Sequence, residues 1–118
     1  MSETQISKSI MDYLAARRVL AFRMNTGAVS AEYKGKTRFM RFGVPGMADI
    51  LAFTRRWPCL IVPDKHQDNP IIPTWIEVKT AKGKQSELQK SFQAQVEAEG
   101  HRYAVVRSID DVEALLRR

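Results

Sequence analysis

The sequence predicts an α/β fold in which helices flank a mixed sheet, in the order α-β-β-β-β-α-β-α. Three observations lead there. Apolar residues recur at helical spacing in three segments, each opened by a serine. Short alternating or continuously apolar runs, the mark of strands, lie between the first two. One further strand separates the last two, an interleaving that layers helices on a sheet. At 118 residues the chain has room for a single domain, 1–118, and shows neither repeats nor low-complexity segments.

Ser2 with Gln5 has capping-box spacing, and Ile6, Ile10, Tyr13 and Leu14 form one stripe, so a helix is expected from about Glu3 to Arg18. Val19 to Met24 reads as a short strand. Asn25 to Lys36 is polar and contains glycine, which predicts a connection, and Thr37 to Phe42 a second strand stopped by the Gly43-Val44-Pro45-Gly46 turn. Ala48 to Thr54 is apolar apart from Asp49 and reads as a buried strand. Leu60 to Val62 either ends that hairpin or forms its own strand. Pro63 to Pro73 holds three prolines and a polar run, which predicts an inserted loop.

Thr74 to Thr80 is the clearest strand, ended by Lys82-Gly83-Lys84. Leu88, Phe92 and Val96 mark a second helix, opened by Ser86 and closed by Gly100. Tyr103 to Val106 is a strand. Ser108 with Asp111 caps a last helix whose Ile109, Val112, Leu115 and Leu116 are expected to face inward.

Composition narrows the function. A 44% hydrophobic fraction suits a folded chain, and its small size makes pairing with a second copy an expectation. No apolar run approaches the ~20 residues of a membrane helix, and the N-terminus has no secretory apolar block, so a cytoplasmic location is expected. Cys59 stands alone, which excludes an internal disulfide and a thiolate metal cluster. The formal charge of +6, with a pI near 9.8, points to a polyanionic partner.

The chemistry concentrates in Trp75-Ile76-Glu77-Val78-Lys79. Side chains alternate along a strand, so Glu77 and Lys79 share one face while Ile76 and Val78 enter the core from the other. Asp49 lies in an apolar run, where a lone carboxylate is costly to bury, and a metal ion shared with Glu77 would supply its partner. The structural alternatives are a surface ion pair between Glu77 and Lys79, and a turn role for Asp49 as acceptor of backbone hydrogen bonds.

Asp49 followed by Glu77-Val78-Lys79 resembles the signature of the PD-(D/E)XK nuclease superfamily. The ordered set Phe22-Arg23-Met24-Asn25-Thr26-Gly27, Gly43-Val44-Pro45-Gly46-Met47-Ala48-Asp49-Ile50, and Glu77-Val78-Lys79-Thr80 with Gln85 and Gln89 more closely resembles the VRR-Nuc family. The similarity runs from the first helix to Val105-Val106-Arg107-Ser108. It implies a restriction-endonuclease-like fold and Mg²⁺- or Mn²⁺-dependent cleavage of DNA. By the resemblance, Asp49 and Glu77 are metal-binding acids and the backbone carbonyl of Val78 is a further ligand. Lys79 positions or activates the attacking water, and Gln89 sits beside the site. Small members of the family are similar to homodimers acting on branched DNA such as four-way junctions, and larger relatives serve in repair. Two departures stand out: Met47-Ala48 replaces the superfamily's proline before the aspartate, and the stretch between Asp49 and Glu77 is lengthened.

Other residues carry paired readings. Glu3 is a third metal-binding acid or a carboxylate favourable to the first turn of a helix. Gln89 belongs to the site or completes a capping box with Ser86. His66 with Asp64 and Asp68 reads as a solvated loop, and His101 as a polar residue leading a strand. Arg38, Arg41, Lys34 and Lys36 line a DNA-phosphate track or form a solvated charge run, with Tyr33, Phe39 and Phe42 stacking on bases or packing in the core. Two rivals to the nuclease remain: a DNA-binding module of the same fold that has lost catalysis, and a basic structural or assembly protein.

Overall fold

Helix α1 (Glu3–Ala16) begins at its predicted cap, where Ser2 and Gln5 each accept the other's backbone N–H. It stops two residues earlier than expected. Arg18 takes the left-handed conformation at φ 59°, and the Val19 N–H returns to the Leu14 carbonyl at 2.9 Å, which turns the chain out of the helix. The computed structural model that provides these coordinates describes residues 1–24, 28–33, 36–41, 44–55 and 70–117, with side chains described outside 28–41.

Strands β1 (Ala21–Arg23), β2 (Ala28–Tyr33), β3 (Lys36–Arg41), β4 (Ile50–Arg55) and β5 (Ile71–Val78) follow, then α2 (Glu87–Ala98), β6 (Arg102–Val106) and α3 (Ile109–Leu116). The order therefore has one strand more than the sequence predicts. The span 25–36 is not a connection throughout, because Ala28–Tyr33 pairs antiparallel with Lys36–Arg41 from Ala28↔Arg41 to Tyr33↔Lys36. Alternation in Ala28-Val29-Ser30-Ala31-Glu32-Tyr33 is weak, since small residues fill both faces, and only the partner strand makes it a strand. Leu60 to Val62 and the loop residues 63–69, with His66, lie outside the described residues.

Four strands form the main sheet in the order β1-β4-β5-β6. The β1–β4 and β4–β5 pairs are antiparallel and β5–β6 is parallel, so the sheet is mixed as expected. α1 and α3 cover one face with a core of Ile6, Ile10, Leu14, Ile50, Ala52, Ile76, Val78, Val106, Val112 and Leu115. Each fully buried Ile or Val there contributes about 1.5–3 kcal/mol. α2 lies on the opposite face, with the Phe92 ring edge-on to Trp75 at 5.0 Å. Ile109, expected to face inward, is 38% exposed, and Leu88, which opens the apolar repeat of α2, is 58% exposed. Both sit in the first turn of their helices.

Pro73 is part of β5 rather than of a loop. It lies opposite Phe53, whose N–H turns the other way to the Leu20 carbonyl, and pairing with β6 starts only at Thr74. No ladder bond needs the N–H that proline lacks. Among the described residues, no helix is long and apolar enough to cross a membrane.

The turn before β4 sets the height of the site. The Met47 N–H closes Val44–Met47 onto the Val44 carbonyl at 3.0 Å, with Pro45 second and Gly46 third at φ 81°, a type II turn. A Cβ on Gly46 would collide with the backbone of Leu88 and Gln89, so the bare glycine lets the turn seat against the start of α2. Gly46→Ala is expected to cost about 2–4 kcal/mol, from left-handed strain plus a backbone clash. Gly100→Ala, at φ 84° with open space around it, should cost only about 1 kcal/mol. Urea denaturation midpoints of the two variants check the contrast.

Candidate active site

Asp49 stands one residue ahead of β4, at a bend, rather than inside the strand as the apolar run suggests. Its carbonyl accepts the Met24 N–H at 2.7 Å, tying it to the end of β1. Its Oδ2 accepts the Val78 N–H at 2.8 Å, tying it to β5. The β4–β5 register ends at Ile50↔Ile76, and one step further sets Asp49 opposite Glu77. Directly opposed residues on one sheet face have Cβ atoms about 5 Å apart. Two acids 28 positions apart in the chain thus meet through a strand register.

Alternation holds in β5: Ile76 and Val78 are buried in the core, while Glu77 faces the α2 side. Glu77 is only 2% exposed and Lys79 only 12%, so the surface ion-pair alternative does not apply. Glu77 Oε1 accepts a hydrogen bond from Gln89 Nε2 at 2.9 Å and lies 3.8 Å from the Lys79 ammonium. Oε2 is buried with no hydrogen-bond donor. Burial, then the neighbouring Asp49 by charge and by hydrogen bond, pushes the Glu77 carboxyl up to about 8, outweighing the opposing pull of Lys79. Two ionised carboxylates side by side repel, so a shared proton, a water or a cation at Oε2 would relieve the pair.

Gln89 completes the capping box and contacts Glu77 at once. Its Oε1 accepts the Ser86 N–H to complete the α2 capping box, and its Nε2 holds Glu77. The helix cap therefore fixes the amide that fixes the acid. The turn after β5 is held similarly. The Arg107 guanidinium donates to the carbonyls of Thr80 at 2.5 Å and Gly83 at 2.7 Å. Gly83 packs so closely on the Lys79 stem that an added Cβ would sit 3.3 Å from its Cδ.

The Val78 carbonyl suits the expected ligand role. In a strand the N–H and C=O of one residue point to the same edge. Val78 directs its N–H at Asp49, and the last β4–β5 pair lies two residues back, so the ladder does not take up its carbonyl. Glu3 adds a small upward push to the Glu77 carboxyl. Among the described residues, however, no three of His, Cys, Asp and Glu are grouped to hold a metal, so Glu3 does not complete a triad. The donor set is two carboxylates and a carbonyl, which suits a hard cation that retains waters. The side chains of Lys36, Arg38, Arg41, Tyr33 and Phe39, and all of Lys34 and Phe42, lie outside the described residues.

A polar cluster of Gln85, Gln93 and Tyr103 joins α2 to β6, and neither Gln93 nor the Tyr103 hydroxyl stands out in the sequence. Gln85 Nε2 donates to Gln93 Oε1 at 2.9 Å and to the Tyr103 hydroxyl at 3.1 Å. Burial first, with the charges of Glu77 and Asp49 adding, pushes the Tyr103 phenol up to about 12. Alternation in Tyr103-Ala104-Val105-Val106 was the signal available, since it sets Tyr103 on the face of Trp75 and Glu77. His101 likewise has a fixed role, its Nδ1 accepting the Trp75 indole N–H at 3.0 Å.

Comparison with protein-family models, with curated proteins and with solved structures returned no match.

The raised Glu77 carboxyl links stability to pH. Between its unfolded value of 4.5 and about 8 the folded protein binds the extra proton, so this contribution is full below 4.5 and is lost as pH rises to 8. The metal-free protein should lose on the order of a few kcal/mol across that window. Glu77→Gln should flatten the slope and melt higher than the parent at pH 8. Thermal melts in chelator across the pH range check both.

Proposed function

We propose that the protein is a divalent-cation-dependent DNA endonuclease of the VRR-Nuc type within the PD-(D/E)XK superfamily, on a restriction-endonuclease-like fold. The observation that carries this is the Asp49–Glu77 pair, set opposite one another by the strand register, with a buried Glu77 oxygen that lacks a donor and with Lys79 on the same face. Further support comes from the basic charge of the chain and from its mixed sheet between helices. The substrate is branched DNA, four-way junctions included, cut in the cytoplasm by a homodimer in the service of repair.

Asp49, Glu77 and the Val78 carbonyl would hold Mg²⁺ or Mn²⁺ through oxygen. Such an ion, when bound, polarises the scissile phosphate and lowers the pKa of water. The chain's own residues set the geometry. Asp49 is anchored by the Val78 N–H, and Glu77 by Gln89, so neither carboxylate turns away. Lys79 presents a compact positive charge beside them, braced by the turn that Arg107 clamps. That charge orients the attacking water and offsets the negative charge growing on the phosphate oxygens. Water oxygen joins phosphorus, one ester P–O bond breaks, and the leaving oxygen takes up a proton.

Cleavage of linear, flap, splayed and four-way DNA should appear with Mg²⁺ or Mn²⁺ and disappear with EDTA. Glu77→Ala and Lys79→Ala should each lower the rate by about 100-fold or more. Gln89→Ala should lower it about ten-fold, through a loosened Glu77. Mn²⁺ should also raise the melting temperature of the parent at pH 8 and leave that of Glu77→Ala unchanged. Parent-like cleavage by either Glu77→Ala or Lys79→Ala contradicts the assignment. Junction binding with no turnover in either metal favours the silent binding module.

A further inference from the structure

Strands β2 and β3 form a two-stranded sheet of their own, paired from Ala28↔Arg41 to Tyr33↔Lys36. Among the described residues neither is hydrogen-bonded to the main sheet, and their packing is against each other. A lone two-stranded ribbon is marginal in water, so a surface that docks on it would add to its stability. Both ends of the ribbon lead to the acids. On one side the Met24 N–H is tied to the Asp49 carbonyl, and on the other the Val44–Met47 turn continues through Ala48 to Asp49. Strands of six residues, at ~3.4 Å per residue, give the ribbon a length of ~20 Å. Charge divides its two faces, since directly paired residues share a face and neighbours along a strand alternate. Tyr33, Lys36, Ala31, Arg38, Val29 and Met40 take one face, which holds two cations and no acid. On the other, Glu32 offsets Arg41. With Lys34 counted, residues 28–41 hold four Lys or Arg and one acid, half of the net +6 of the chain.

We propose that this ribbon lies in the major groove of a DNA duplex, with its Lys36–Arg38 face against the DNA, and so holds the duplex beside the acid pair. The major groove, about 12 Å wide, admits a two-stranded ribbon, and the phosphates along its walls attract a cationic face. A single strand would call instead for a row of stacking rings, and this face has one aromatic residue, Tyr33. A second copy of a net-positive chain offers the face no comparable attraction. The ~20 Å length of the ribbon spans about six base pairs at ~3.4 Å of rise, which sets the grip close to the cut. The inference rests on the nuclease reading for the position of the cut. It names double-stranded DNA as the part of the substrate that the ribbon grips.

The test is equilibrium binding in EDTA at graded salt, with a fluorescein-labelled blunt duplex and an oligothymidine strand of equal length. Lys36→Ala combined with Arg38→Ala should weaken duplex binding at least about ten-fold and lower the slope of log affinity on log salt by about two. Ala31→Glu and Ser30→Glu add the same charge at adjacent positions on opposite faces. The first should weaken duplex binding at least about five-fold, the second by less than about two-fold. Oligothymidine should lose less than the duplex in every variant that weakens it. Melting temperatures should match the parent's, since no residue of the main core is changed. Unchanged duplex affinity in the double variant, equal losses from the two glutamates, or losses on oligothymidine as large as on the duplex overturn the proposal. So does light scattering that gives a dimeric parent and a monomeric double variant, because the ribbon is then a joint between copies. The binding assay needs no metal, so its failure leaves the cleavage reading standing. Face-dependent duplex binding without cleavage in Mg²⁺ or Mn²⁺ removes only the nuclease reading.

Discussion

The register between β4 and β5 is the constraint on which the site depends. Because Ile50 pairs with Ile76, the next step brings Asp49 and Glu77 face to face, and Asp49 seals the junction by accepting the Val78 N–H. A slip of one residue would turn every side chain of a strand to the other face. The core guards against that slip, since Ile50, Ala52, Ile76 and Val78 would all lose their burial under α1. Apolar packing on one face thereby holds an acid pair on the other.

Burying Glu77 beside Asp49 is unfavourable in itself, and the surrounding elements are arranged to maintain it. The type II turn at Val44–Met47 seats on the start of α2 through the bare backbone of Gly46. That contact brings Gln89 to Glu77 while the same glutamine caps the helix. Arg107 braces the far side by holding the turn that packs on Lys79. Turn, cap and clamp each make ordinary backbone hydrogen bonds, yet all end within one or two residues of a charged group. The local strain falls on Glu77 Oε2, the one buried side-chain atom among the described residues left without a hydrogen bond. An unsatisfied oxygen held in place by satisfied neighbours is the feature on which the proposed cation site rests.

The two faces of the sheet divide the work. Under α1 and α3 the contacts are almost entirely apolar, with Arg102 reaching across to the Leu115 carbonyl at the end of α3. Under α2 they are mixed, with Trp75, Phe92 and Tyr103 packed beside the Gln85–Gln93 network and the acids. Beyond α2 the same face opens onto Phe22 and Phe53. Stability is thus concentrated on one side, leaving the other free to carry charge and open surface.

The sequence by itself determined the three helices, their serine caps, the alternation in Trp75–Lys79 and the mixed character of the sheet, because caps and periodicity are local properties of a few neighbouring residues. It also singled out Asp49, Glu77, Lys79 and Gln89. Only the tertiary structure decided that Ala28–Tyr33 is a strand and that Pro73 belongs to β5, since each depends on which neighbour does or does not ask for a hydrogen bond. It likewise decided that Gln89 caps α2 and holds Glu77 together, that Tyr103 shares the sheet face of Glu77, and that Leu88 and Ile109 stay exposed. These outcomes follow from contacts between segments far apart in the chain, and no local pattern encodes them.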